Sequence, residues 1–187
     1  MIFSNIKAPQ DLLKYMDKNF DYGILDRQTN KVYKNNDALA PECQKMWILS
    51  TPQEIIKSRV GTCWDMVEFE RHFFSNNNYI FHTFFIWFKC KRINNYPTHT
   101  YLVYQDKVSK KWCWFEYSDF ANRGIHEFNS ILDAVQTQKQ KMIAFAKSIR
   151  KSKTDASKIE IMEYNTPPSH CDFDGFIEYV TTNGKKL

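Results

Sequence analysis

The apolar residues of this chain recur first at helical spacing, then as strands, then at helical spacing again. In "PQDLLKYMDKNF", Leu12, Leu13, Met16 and Phe20 fall on one helical side, with Pro9 at the first turn. The polar stretch "DYGILDRQTNKVYKNN" reads as irregular. From Ala40 to Val60 the pattern predicts one or two short helices, with Ser50-Thr51-Pro52-Gln53-Glu54 as a helix start. The stretch "SRVGTCWDMVEFERHFF" continues the helical period. Val67, Phe69, Phe73 and Phe74 form its buried stripe, and Asn76-Asn77-Asn78 ends it. Tyr79–Phe88 is apolar on both faces, as a central strand must be. Thr98–Gln105 and Lys111–Ser118 read as two strands joined by the polar loop "DKVSKK". Ser130–Arg150 reads as a long helix, Lys158–Tyr164 as a strand, and Cys171–Val180 as a closing helix or turn. Helices, antiparallel strands and a further helix within 187 residues make one α+β domain.

Composition narrows the function classes. With 43% hydrophobic and 16% aromatic residues, the chain can bury a full core. The net charge is +5, and much of it falls on Lys147, Arg150, Lys151, Lys153, Lys185 and Lys186. These do not alternate with stacking aromatics. They read as a solvated helix face and a frayed end rather than a nucleic-acid surface. The N-terminal "MIFSNIKAPQ" lacks a signal-peptide core, and the most apolar run is too short to span a bilayer. No membrane partner is expected. Five cysteines without a C-x-x-C pair suit a reducing, cytoplasmic compartment.

In that compartment a thiol is core filling or a nucleophile. Cys63 stands where a helix should begin, after Gly61, which permits an unusual backbone or close approach, and Thr62, which can cap. Unpaired N–H groups at a helix start favour a thiolate and could also hold the oxyanion of an attacked carbonyl. His99 opens the strand "THTYLVYQ". A symmetrical turn about Lys107 and Val108, with Asp106–Ser109 as its loop, puts Gln105 opposite Lys110, Val103 opposite Trp112, Tyr101 opposite Trp114 and His99 opposite Glu116. Opposed residues share a face, so the carboxylate of Glu116 can orient the imidazole and stabilise its charge. Asp119 has the other parity and becomes the acid only through a bulge.

The motifs "GTCWD" (61–65), "THTYLVY" (98–104) and "WCWFEYSD" (112–119), in this order, resemble the transglutaminase-like superfamily, a branch of the papain-like cysteine-enzyme fold. The resemblance implies a cysteine at the N-terminus of a helix packed on an antiparallel sheet, with histidine and acid on adjacent strands. On this chain it implies Cys63 as nucleophile, His99 as base and Glu116 as acid, with Asp119 as substitute. The family's acid is usually aspartate, so Glu116 is a departure. The implied organisation is one domain over 1–187: a helical lead-in at 1–60, a catalytic core at 61–119, and a C-terminal helix, strand and tail at 120–187. The implied chemistry is acyl transfer at an amide of a peptide or protein substrate, through a thioester and without a cofactor. Hydrolysis is the leading outcome and transamidation the other. A non-catalytic peptide- or protein-binding module on the same fold is the rival.

Other residues carry weaker signals. Trp64 could line the acyl pocket or fill the core, and Arg123 could bind a substrate carboxylate or form a surface salt bridge. His126 in "NRGIHEFNS" reads as a loop histidine, and Gln53 is a poor fit for an oxyanion donor. Asp65, so near the thiol, should point elsewhere. Cys90, His99 and Cys113 could approach one another, but none of their spacings is that of a zinc site, and no metal is expected.

Overall fold

The structure is a computed structural model that describes residues 6–34, 41–89, 97–150 and 158–187. It is mixed α+β. Helix α1 (Pro9–Asn19) leads into strands β1 (Asp21–Leu25) and β2 (Val32–Lys34). Two short helices follow, α2 (Pro41–Met46) and α3 (Pro52–Ser58), then strand β3 (Val60–Gly61) and helix α4 (Cys63–Asn76). Strands β4 (Phe81–Phe88), β5 (Thr98–Gln105), β6 (Trp112–Glu116) and β7 (Gly124–Phe128) form a meander. Helix α5 (Ile131–Arg150), strand β8 (Ile159–Glu163), helix α6 (Phe173–Asn183) and strand β9 (Lys185–Lys186) complete the order.

The larger sheet has six strands in the order β7-β6-β5-β4-β8-β9, and each neighbouring pair is antiparallel. β4 is central, as its apolar run requires. Its alternate residues serve two layers. Phe84, Ile86 and Phe88 pack with Val135, Met142 and Ala146 of α5. Phe85 and Trp87 pack with Val67 of α4 and Phe176 of α6. Leu102, Tyr104 and Phe115 join Met66, Phe69, Phe73 and Phe74 of α4 and Leu12 and Met16 of α1. Each fully buried side chain of this kind contributes about 1.5–3 kcal/mol. The sheet is thus held between α4 on one face and α5 on the other.

Besides strand β7, which occupies a stretch that reads as a loop, three features depart from the sequence reading. The "irregular" segment after α1 is a hairpin, so the stretch before residue 61 is not purely helical. β1 also pairs in parallel with β3, with Tyr22 opposite Gly61. The β5–β6 register is two residues from the symmetrical turn. Gln105 faces Trp112, Val103 faces Trp114 and Leu102 faces Phe115. The cause is a longer loop. Asp106 donates its N–H to the Lys111 carbonyl at 2.8 Å, and Lys110 takes a left-handed conformation at φ 60°. Asp106 Oδ1 accepts from the N–H groups of Val108 and Ser109 at 3.0 and 2.8 Å, which fixes the turn. The third departure is the C-terminal lysine pair. It is not frayed: β9 pairs with β8, and Lys186 bridges to Glu160 at 2.7 Å. Lys151 and Lys153 lie outside the described residues. No described helix is long and apolar enough to cross a membrane.

Candidate active site

The site begins at the junction of β3 and α4. A Cβ on Gly61 would stand 2.8 Å from the Cβ of Asp65, so glycine is needed there for close approach. Thr62 is the N-cap of α4. The Asp65 carboxylate accepts from the Thr62 N–H at 2.8 Å, the Thr62 hydroxyl at 2.9 Å, the Trp47 indole N–H at 2.8 Å and the Ser50 N–H at 2.8 Å. Two of these bonds cap the helix through Thr62, and the other two tie its start to Trp47 and Ser50. Burial pushes the Asp65 carboxyl up, and the bonds from Trp47, Ser50 and Thr62 pull against it. Cys63, the first helical residue, is 6% exposed.

His99 lies at the start of β5. Its Nε2 is 2.8 Å from Glu116 Oε2, with the two side chains 16% and 2% exposed. The even shift of register left both residues on one face, so they meet across the diagonal instead of directly. Glu116 is held by two further donors. Trp114 Nε1 donates to Oε2 at 3.1 Å, and the Asp119 N–H donates to Oε1 at 2.7 Å. Nε2 is occupied by Glu116, which leaves Nδ1 for a partner on the other side of the ring. Burial alone would lower the proton affinity of His99. The Glu116 charge, with the hydrogen-bonding interactions of Cys63 and Glu116, outweighs burial and holds the imidazole well above its ordinary value. Cys63 is thus one of the groups whose charge favours the protonated His99 ring. Asp119 does not take the acid's place: its carboxylate accepts from the Ala121 N–H at 3.1 Å and from Asn122 Nδ2 at 2.6 Å.

The weaker candidates find structural partners. Trp64 is in the core, stacked on Phe176 at 4.2 Å and Phe173 at 5.0 Å, with Trp47 edge-on at 4.9 Å. Arg123 donates from Nε to the Tyr117 carbonyl at 2.8 Å, pairs with Asp17, and lies 4.4 Å over the rings of Tyr117 and Phe120. His126 is not on a loop. It sits on β7, stacked at 4.5 Å on Trp114, with its Nε2 at 2.7 Å from the Asn122 carbonyl. Gln53 is exposed on α3. Cys43 and Cys113 are buried, and Cys171 is pushed up to about 11, first by burial and then by Asp172. Cys90 lies outside the described residues. Among the described residues no group of three His, Cys, Asp or Glu side chains is placed to hold a metal ion.

Two residues near the thiol were not anticipated. Tyr22 of β1 is brought near Cys63 because β1 runs beside Gly61, with Tyr22 opposite it. Burial first, then the charge and side-chain hydrogen bond of Cys63, raise the phenol well above its usual value, while the Cys63 backbone N–H works against them. Nothing in the segment "DYGIL" announces a parallel pairing forty residues on. Glu70 is more legible. It lies two helical turns after Cys63, on the same side of α4. It is 2% exposed, and its Oε2 has no hydrogen-bond partner among the described residues. Burial, then the Glu116 charge, push its carboxyl well above the usual range, against the pull of His99.

A cavity of about 260 Å³, lined by Ser50, Glu68, Arg71, His72, Ser75 and Thr166 among others, lies on another flank of α4 and includes neither Cys63 nor His99. Compared with known proteins, the chain is matched by no family model, and no curated protein matches it.

Proposed function

We propose that the protein is a cysteine-dependent acyl-transfer enzyme of the transglutaminase-like type, acting on an amide or peptide bond by hydrolysis. One observation carries this reading: Cys63 stands at the first position of a helix, in a fold that holds His99 Nε2 2.8 Å from the buried carboxylate of Glu116, and Cys63 is among the groups that raise that imidazole. The Cys63 sulfur forms a bond to the carbonyl carbon, and His99 takes up the thiol proton. As the C–N bond breaks, the charged His99 gives its proton to the departing amine. Water then attacks the thioester with its proton accepted by His99, and the acid leaves as the thiol is restored. Glu116 keeps the ring oriented and its cation stabilised throughout. The first N–H groups of α4 face the developing oxyanion. A peptide or protein carrying the amide is the substrate class.

A non-catalytic binding module on the same fold is favoured by one feature. Cys63 is 6% exposed, so little of the thiol is open to a bulky substrate. The deciding experiment is alkylation of the native protein by iodoacetamide from about pH 5 to 9, mapped by mass spectrometry and repeated with His99→Ala. The enzyme reading requires Cys63 to outpace the other four cysteines at acidic to neutral pH and to lose that lead with the histidine. Equal reactivity of all five thiols would leave the module reading standing. Release of ammonia or amine from glutamine amides and peptides then identifies the reaction.

A further inference from the structure

Phe120 is 58% exposed, yet it is held firmly. The residue before it, Asp119, gives its N–H to Glu116 Oε1 at 2.7 Å, so the loop is tied to the carboxylate that orients His99. The Arg123 guanidinium covers the Phe120 ring at 4.4 Å and is itself fixed by the Tyr117 carbonyl and Asp17. The Tyr117 hydroxyl in turn donates to the Phe20 carbonyl at the end of α1. Phe120 meets the ring of Tyr22 edge to face, with centroids 6.4 Å apart and planes at 69°. Tyr22 pairs opposite Gly61, two residues before Cys63. A rigid aromatic surface is thus left open to solvent one side chain away from the nucleophile. The other large exposed apolar groups among the described residues lie elsewhere: Leu132 and Phe145 on α5, Val108 at the tip of the β5–β6 turn, Val32 on β2, Ile80 just before β4 and Leu187 after β9.

An exposed aromatic ring clamped in one orientation offers apolar area at little entropic cost. An extended peptide advances about 3.3–3.6 Å per residue, so a substrate side chain resting on Phe120 belongs within a residue or two of the attacked carbonyl. Resting on the acyl-transfer reading above, we propose that Phe120, backed by Tyr22, is a specificity-determining residue. It forms the wall of a subsite for an apolar, above all aromatic, side chain beside the amide bond that Cys63 attacks. The aromatic group lies on Phe120 on the face that Arg123 leaves free, and Tyr22 closes the inner end.

The full chain can be tested with two alkylating amides, N-benzyl-2-chloroacetamide and N-methyl-2-chloroacetamide. In each, the Cys63 sulfur bonds to the methylene carbon and chloride leaves. Rates at Cys63 are read by mass spectrometry and divided by the rates of the same reagents with glutathione. The expected result is a preference for the benzyl reagent of about tenfold, the discrimination an apolar subsite of this size supplies. Phe120→Ala should bring the ratio close to one, and Phe120→Trp should keep it. Phe145→Ala, on α5, should leave it as in the parent. A melting curve for each variant confirms that the fold is retained. If Cys63 is selectively reactive toward iodoacetamide but shows no benzyl preference, or keeps it in Phe120→Ala, the subsite is refuted and the nucleophile stands. If Cys63 reacts with iodoacetamide no faster than the other thiols, the acyl-transfer reading falls and the subsite falls with it.

Discussion

The large sheet carries two histidine–glutamate pairs, and they are nearly the same object. His99 meets Glu116 across β5 and β6 at 2.8 Å, and His82 meets Glu163 across β4 and β8 at 2.5 Å. In each, the glutamate ends its strand and the histidine lies near the start of the neighbouring one. Glu163 stands opposite Phe84, so His82 reaches it on the diagonal, as His99 reaches Glu116. What differs is the surroundings. His82 and Glu163 are each 31% exposed, whereas His99 and Glu116 are 16% and 2% exposed. Glu116 receives two further hydrogen bonds, from Trp114 and Asp119, and Cys63 joins Glu116 in favouring the protonated His99 ring. The residue types and the strand geometry are therefore not what makes a candidate catalytic pair. Burial, a fixed carboxylate and a thiol at a helix start do that.

Removing each histidine gives the widest separation between the two pairs. A positioned general acid–base typically contributes about 10²–10⁴-fold. His99→Ala should lower amide hydrolysis and Cys63 alkylation at neutral pH by about 10³-fold, near the loss produced by Cys63→Ser. His82→Ala should leave both within about twofold of the parent, since the described partners of His82 are Glu163, Phe84 and Trp112. Equal effects from the two variants, measured as kcat/KM and as alkylation rate, would dissolve the distinction drawn here.

The carboxylates should separate the pairs next. Glu116→Gln keeps the volume but removes the charge that holds His99, and it places an amide beside the Trp114 and Asp119 donors. Activity should fall by about 10²-fold, with a loss of about 1–3 kcal/mol in urea denaturation as one donor goes unmatched. Glu163→Gln should move activity by less than twofold. If Asp119→Asn instead proves the more damaging change, the acid has been misassigned.

How much of this was legible beforehand can be argued from the two hairpin loops. Asp26–Lys31 and Asp106–Lys111 are built alike. In each, the aspartate N–H closes on the lysine carbonyl, at 2.9 and 2.8 Å. The aspartate also accepts two loop N–H groups, and the residue before the lysine is left-handed, Asn30 at φ 57° and Lys110 at φ 60°. The second hairpin was readable because aromatic and β-branched residues flank it. The first was not, because β1 contains Gly23 and β2 is only three residues long. That miss concealed Tyr22 as well. Helix α4 was legible from its apolar period and its cap, and with it the place of Cys63. The meeting of His99 and Glu116 was anticipated through the wrong register, and it survived because strand parity tolerates a slip of two residues but not of one. The burial of Glu70 had a signal in its seven-residue spacing from Cys63. What lies against the far end of that helix face is set by long-range packing that no local pattern encodes.

The buried pair should also leave a mark on stability against pH. The folded state holds the His99 proton more tightly than the unfolded chain, whose histidine titrates near about 6.5. Its contribution is complete below that pH and is lost as pH rises toward the raised folded value, with a slope of up to about 1.4 kcal/mol per pH unit. Glu70 acts with the same sign but from a lower starting point. Burial, then the Glu116 charge, raise its carboxyl above the value of about 4.3 in the unfolded chain, so stability falls from that pH upward. Urea denaturation at successive pH values should separate the two. Glu70→Gln should flatten the curve from about pH 5 onward, whereas His99→Gln should flatten it only above about 6.5. If Glu70→Gln leaves the slope between pH 5 and 6.5 unchanged, Glu70 is ionised beneath the site. The fold then tolerates a second negative charge beside Glu116.

The smallest expected effect lies in the exposed pair and tests the comparison from its weaker side. Water screens His82 and Glu163, and each side chain loses rotamer freedom in meeting the other. A double-mutant cycle with His82→Ala and Glu163→Ala, at pH 6, should therefore return a coupling of about 0.2–1 kcal/mol. The same cycle on His99 and Glu116 should return several times more, because removing either partner strands a buried group. Salt sharpens the contrast: at about 1 M ionic strength the Debye length shrinks to about 3 Å, and the His82–Glu163 coupling should nearly vanish. The His99–Glu116 coupling should persist, since little solvent lies between its charges. Two couplings of equal size and equal salt sensitivity would mean that the layers around β5 and β6 do not shield the site. The reason for singling out one histidine of the two would then be lost.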